Sequence, residues 1–157
     1  MTSIGLTKRA DIPGMQTVLD QTGLFPSDLL PDMISPGLEG EAIGDRWLTC
    51  ETDGQIAGFC FARAEELAEG TWNMLAIAVL PILQGRGCGG ALVRRLEDDL
   101  RASGQRVLIA DTSGTEEFAQ TRAFYRNNGY AEEARIRDFW AAGDDKIVFW
   151  KSLTQGS

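Results

Sequence analysis

The chain has 157 residues, of which 43% are hydrophobic and 24% charged, enough for one domain with its own core and no need of disulfide staples. Its formal charge of −8 argues against a surface that tracks nucleic-acid phosphates and suits a cationic partner such as an amine. With no histidine, and with Cys50, Cys60 and Cys88 in no CxxC spacing, metal binding at a zinc-type site, a disulfide framework and Ser-His or Cys-His chemistry are set aside. A basic-then-apolar leader is lacking, and no apolar run would span a bilayer, so a cytoplasmic chain with no membrane partner is expected.

Residues 4–9 alternate like a first strand. Asp11 offers an N-cap with Pro13 in the following turn, and Met15, Val18 and Leu19 stripe a helix that ends at Gly23. A second short helix is expected over 27–34, stopped by Pro36-Gly37. The apolar loop between them, Leu24-Phe25-Pro26, serves either as a staple for that helix or as a substrate-pocket wall. Residues 47–52 and 55–61 flank Asp53-Gly54, the strongest hairpin signal in the chain. A further strand over 71–79 pairs antiparallel with its predecessor, and the apolar run 75–80 reads as buried until Pro81 stops it.

Four glycines, Gly85, Gly87, Gly89 and Gly90, then fall within six residues, ahead of a helix with Leu92, Val93, Leu96 and Leu100 on one face and Glu97-Asp98-Asp99 turned to solvent. Gly104 ends it, residues 107–110 form a short buried strand, and another helix covers 116–128 up to Gly129. Two closing strands, 131–137 and 146–150, are joined by a loop over 138–145. The class is α/β: one domain over 1–157, with a mixed sheet that is antiparallel in front and has one parallel strand–glycine loop–helix–strand crossover.

That crossover is where chemistry is expected. Strand, glycine turn and helix start leave backbone N–H groups without protein acceptors, and bare glycines let a phosphate lie against the chain. Each such amide bonded to a charged oxygen contributes about 1.5–3 kcal/mol, and the helix dipole adds to it. A nucleotide P-loop is rejected because Ala91-Leu92, not lysine and a hydroxyl, follow Gly90. Gly85, Gly87 and Gly90 do satisfy GxGxxG, with Asp111 placed like a ribose-binding acid. However, Leu80 to Gln84 separate strand from glycine, and too little chain remains for further βα units.

Residues 79–92, and within them Gln84, Gly87 and Gly89, resemble the Gln/Arg-x-x-Gly-x-Gly/Ala acyl-coenzyme A loop of the GCN5-related N-acetyltransferases (GNAT family). Residues 122–130, with Phe124-Tyr125 and Gly129-Tyr130, resemble the family's FYxxxGF helix-to-strand motif, in the usual order and separation. The resemblance implies acetyl-coenzyme A as cosubstrate, no metal, and a small-molecule or peptide amine as acceptor, attacking directly in a ternary complex. It implies that the backbone at Ile77, Ala78 and Val79 pairs with the pantetheine arm, with an N–H near Val79 polarising the thioester carbonyl. Gln84, Gly85, Arg86, Gly87, Cys88, Gly89 and Gly90 would cradle the diphosphate. Tyr125 would act as general acid to the departing thiolate.

Departures from the family pattern fall on the acceptor side. Where many relatives carry a carboxylate, this chain has Asn73, which orients an amine or a water but accepts no proton as a base. Asp111, Glu116 and Glu117 are the substitutes, each with an ordinary surface or cap reading beside it. A cofactor-facing asparagine is also missing from Thr115-Glu116-Glu117-Phe118. Arg122 and Arg126 read either as phosphate contacts or as a solvated helix face. Phe25, Phe139, Trp140 and Trp72 are candidates to line the acceptor pocket, while Trp47 and Trp150 are read as packing. A helix start tends to lower the pKa of Cys88, but no base accompanies it for an acyl-cysteine route. The alternative to an enzyme is an acyl-coenzyme A sensor or interaction module on the same fold, and a homodimer is compatible with either.

Overall fold

Residues 2–41 and 43–154 are described in a computed structural model. They form two compact units, Met1–Arg63 with Leu75–Asp98, and Ala64–Met74 with Asp99–Ser157.

The first unit is built on antiparallel strands. β1 (Thr2–Leu6) pairs with β2 (Asp45–Thr52), and β2 with β3 (Gln55–Ala64). The turn between β2 and β3 is Asp53-Gly54, with φ of 51° and 79°; two left-handed central residues match the twist of a tight hairpin. The last five residues of β4 (Thr71–Val79) continue the order β1-β2-β3-β4. The helices α1 (Ile12–Thr22) and α2 (Leu30–Leu38) bury Met15, Val18, Leu19, Leu30 and Ile34 against Trp47, Phe59, Phe61, Ala76, Ala78 and Leu80. Trp47 stacks on Phe61 at 4.0 Å, as packing requires. Each fully buried aliphatic side chain in such a cluster contributes about 1.5–3 kcal/mol.

The second unit orders its strands β4-β5-β7-β6, with β5 (Val107–Ser113), β6 (Ala131–Ala141) and β7 (Asp144–Ser152). The start of β4 runs parallel to β5, from Thr71 opposite Val107 to Met74 opposite Ala110, which is the expected crossover. β5–β7 and β7–β6 are antiparallel. Seven strands in mixed directions and the four helices, with α3 (Cys88–Ala102) and α4 (Ala119–Asn127), make the fold α/β. Among the described residues no helix is long and apolar enough to cross a membrane.

Several expectations are corrected. The first strand occupies Thr2–Leu6 rather than 4–9, because the Asp11 carboxylate accepts the Lys8 N–H at 2.8 Å and closes a 3-10 turn there; Asp11 does stand at the N-cap position of α1, with its side chain making no cap bond. α2 follows a 3-10 turn at Ser27–Leu29 and carries Pro36 inside its last turn, where one lost hydrogen bond is tolerated. Leu75 is 48% exposed, so the 75–80 run is not buried throughout. In α3 the apolar stripe is as read, but Glu97 is only 3% exposed: it lies one turn from both Val93 and Leu100 and shares their face. The segment 138–145 is no loop. It is the end of the β6–β7 hairpin, turning at Ala142-Gly143, with the Asp138 carboxylate accepting the Gly143 N–H at 2.9 Å and Asp145 accepting the Asp138 N–H at 2.9 Å.

Candidate active site

In the first unit, β4 leads through Leu80 and a 3-10 turn at Pro81–Leu83 into the glycine loop. Gly85 and Gly87 have φ of 80° and 86°, conformations costly for any residue with a Cβ, and a Cβ built on either would meet nothing within 4 Å. The space beside them is open. α3 begins at Cys88, and its first helical bond is Ala91 N–H to Gly87 O at 3.0 Å. The N–H groups of Cys88, Gly89 and Gly90 therefore have no acceptor within the helix. Arg86 is exposed alongside. Several donors, a helix N-terminus and a guanidinium within five residues fit a diphosphate.

The strand that feeds this loop has one edge taken by β3, where Leu80 N–H bonds to Ala57 O at 2.8 Å. Gly58 is needed there: a Cβ would stand 2.6 Å from the Ala78 carbonyl oxygen. Alternation turns the Val79 backbone to the other edge, where its carbonyl accepts the Gln84 amide at 3.1 Å. Ile77 shares that edge, whereas Ala78 faces β3. The parallel ladder with β5 ends at Met74.

Cys88 sits against Cys50 and Cys60, and all three are buried thiols. Desolvation first, then the hydrogen bond to Cys50 and the neighbouring sulfurs, push the Cys88 thiol well above its ordinary value. That reverses the lowering expected from the helix start. The Cys88 sulfur is thus a buried neutral thiol and no exposed nucleophile.

In the second unit Tyr125 is 4% exposed. Its ring lies 5.2 Å from that of Phe149, 5.5 Å from Phe124 and 5.9 Å from Tyr130, so α4 is anchored by the aromatic motif itself. Strand register assembles a polar group elsewhere in this unit, on the sheet face opposite the one that carries Ala110 and Phe149. Asn73 stands opposite Ile109, which puts Asp111 two residues further on the same face, and Lys146 is the diagonal neighbour of Asp111 across β7. The Asn73 amide donates to Glu65 at 3.2 Å and to Asp111 at 3.4 Å, and Lys146 pairs with Asp111 at 3.3 Å. Asn73 Oδ1 and Asp111 Oδ1 are both buried with no hydrogen-bond partner. Asp111 is no surface acid. By contrast, Glu116 and Glu117 are exposed at the start of a 3-10 turn.

Residues 44–132, more than half of the chain, match the family model described as the acetyltransferase (GNAT) domain. A candidate GNAT acetyltransferase from Desulfovibrio desulfuricans is 30% identical, with 98% of this chain and 100% of that one covered and a TM-score of 0.90. The chain belongs to the GNAT acetyltransferase family. Two more distant structures share the fold. The ribosomal-protein-S18-alanine N-acetyltransferase of Escherichia coli is 19% identical, with 100% and 97% of the chains covered and a TM-score of 0.80. A candidate acetyltransferase of Salmonella typhimurium, solved with acetyl-coenzyme A, is 18% identical, with 99% and 96% covered and a TM-score of 0.78. None of the curated proteins matches.

As a GNAT chain it places the remaining sequence candidates in differing surroundings. Phe25 is half-buried and packs on the core of the first unit, as a staple does. Trp140 is 49% exposed and lies in β6, not a loop; its indole donates to Thr112 O at 3.3 Å and its ring meets Phe139 edge-on. Trp72 is buried, with its indole donating to Gln105 at 3.0 Å. Trp150 is 38% exposed, so packing covers it only in part. Arg122 donates to the carbonyls of Ser113 and Thr115 at 2.8 and 2.7 Å, and Arg126 pairs with Glu132 at 2.7 Å. Both arginines have protein acceptors. Sequence reasoning does not assemble the Asn73–Asp111 group; the available signal is Asp111 itself, an acid directly after the apolar run 107–110 of β5.

Proposed function

We propose that this GNAT chain, as one domain over 1–157, transfers the acetyl group of acetyl-coenzyme A to a primary amine of a small molecule or peptide, by direct attack in a ternary complex. The observation that carries this reading is the loop at 84–90, where left-handed glycines and free helix N–H groups meet open space. Gln84, Gly85, Arg86, Gly87, Cys88, Gly89 and Gly90 would hold the diphosphate. Ile77 and Val79 offer the open backbone edge of β4 to the pantetheine amides, and the Val79 N–H would polarise the thioester carbonyl. When bound, acetyl-coenzyme A supplies an activated acyl carbon and a thiolate leaving group.

The chain's own work is then to orient that carbon, to present a neutral amine and to return a proton. An alkylamine with pKa ~10.4 needs about 4.6 kcal/mol to be neutral at pH 7, so a proton acceptor, a water chain or an amine of lower pKa has to meet that cost. Tyr125 would donate its phenolic proton to the sulfur. Asn73 would orient the amine, and Trp140 would line its path.

Calorimetry with acetyl-coenzyme A, followed by thiol release across a panel of amines, tests the reading. Micromolar binding with turnover on at least one amine is expected. Binding without turnover on any amine, unchanged by Tyr125→Phe, would instead assign an acyl-coenzyme A sensor.

A further inference from the structure

We infer that Asn73 Oδ1 and Asp111 Oδ1 together form a seat for an alkylammonium group, and that Asp111 is the residue that takes its proton. The argument begins with the amide of Asn73, which is 8% exposed. Its nitrogen faces two carboxylate oxygens, Glu65 Oε1 at 3.2 Å and Asp111 Oδ2 at 3.4 Å. Only an NH2 group satisfies two such acceptors, so the amide orientation is fixed and Oδ1 must point elsewhere. Where it points there is no donor, and Asp111 Oδ1 is likewise buried and unpaired. Two buried acceptors without donors are costly unless something with N–H or O–H groups fills the gap.

Charge says which kind of group. Glu65 and Asp111 bring two negative charges into the cluster, and Lys146, 3.3 Å from Asp111 Oδ2, brings one positive. One negative charge is left over. The Lys146 ammonium is already committed to Asp111 Oδ2 and to the face of Phe139, 4.3 Å from its centroid, so it does not serve the two orphan oxygens. A primary ammonium does: it has three donors and neutralises the excess charge. A quaternary ammonium has the charge and lacks the donors.

This seat rests on the acetyltransferase reading for its chemistry. There the Asp111 carboxylate takes one proton from the ammonium and leaves the nitrogen lone pair. Nitrogen bonds to the acetyl carbon as the carbon–sulfur bond breaks, its electron pair going to sulfur. Sulfur takes the Tyr125 proton, and the second amine proton returns through solvent to the tyrosine. Asp111 then gives its proton to solvent. Glu65 is a positioning residue, acting through its hydrogen bond to the Asn73 amide.

The test uses the intact protein and two salts, n-butylammonium chloride and tetramethylammonium chloride, with the Asn73 side-chain amide followed by 15N NMR. We expect a saturable shift with n-butylammonium, none with tetramethylammonium, and binding at least about tenfold weaker in Asp111→Asn. No shift with n-butylammonium, an equal shift with tetramethylammonium, or undiminished affinity in Asp111→Asn would overturn the seat. The wild-type comparison of the two salts decides even if the variant fails to fold. Acetyl-coenzyme A calorimetry reports separately on the cofactor loop, so failure of the transferase reading is distinguishable from failure of the seat. On any amine that turns over, Asp111→Asn should lower kcat/KM by about 10²–10⁴-fold, and an unchanged kcat/KM would remove Asp111 as proton acceptor.

Discussion

The glycine loop of the first unit and the Asn73 cluster of the second are built on opposite principles. In the loop, the seven proposed binding residues are consecutive and what matters is side chains that are missing: Gly85 and Gly87 in left-handed conformations, then helix amides left bare. In the cluster, what matters is side chains that are present: Asn73, Asp111 and Lys146 brought together by the register of three strands, and Glu65 from just past the end of β3. A loop of the first kind tolerates any change that adds no Cβ, whereas a cluster of the second kind depends on every pairing between β4, β5 and β7. Perturbations of the loop should therefore strike cofactor affinity and spare acceptor chemistry, and those of the cluster the reverse.

The largest effect is expected at the loop. Gly89→Val places a branched Cβ in the first turn of α3, where no left-handed backbone is demanded, so the fold should survive while the diphosphate is held off. Losing one or two amide bonds to charged oxygen weakens acetyl-coenzyme A binding by about 100-fold or more, measured by calorimetry. Gly87→Val should do the same and also lower stability, because a Val at φ near 86° is strained. Wild-type affinity in Gly89→Val would remove the loop from the account.

Next in size is Tyr125→Phe. The ring contacts with Phe124, Tyr130 and Phe149 persist without the hydroxyl, so the fold and acetyl-coenzyme A affinity should hold. If the phenol gives its proton to sulfur, kcat falls by about 100-fold, read by thiol release. Equal loss of cofactor affinity would mark Tyr125 as a structural residue and blur the division between the two regions.

The same contrast governs what could be read in advance. A site carried by neighbours in sequence is visible as a motif, which is why 84–90 and 122–130 stood out and why Asp53-Gly54 gave its turn directly. The stripe Leu92, Val93, Leu96 and Leu100 was equally legible because it depends only on helix periodicity. Glu97 was misplaced because its charge was weighed above its angle on the helix. The segment 138–145 looked like a loop because Asp138, Gly143, Asp144 and Asp145 are turn-formers, yet two aspartate-to-amide bonds fold them into a bulged hairpin. Asp111 was recognised as a substitute acid but weighed as a surface group, since nothing local says that register will set it beside Asn73.

The smallest effect concerns Cys88, where backbone and side chain of one residue belong to different regimes. Its amide faces the loop; its thiol is buried with Cys50 and Cys60. Burial favours the neutral thiol and raises its pKa above the ordinary 9.0 in the folded chain. The folded state then holds its proton where the unfolded state has lost it. The sign follows: the stabilisation is fully present below pH 9 and is lost as pH rises above that value toward the folded one. The loss is at most about 1.4 kcal/mol per pH unit. Urea midpoints between pH 8 and 10 should fall more steeply for wild type than for Cys88→Ala, and the native thiols should be silent to a thiol reagent at pH 8. Identical slopes, or rapid modification of Cys88 at pH 8, would mean that its sulfur shares the loop's exposure and that the boundary drawn through this residue is misplaced.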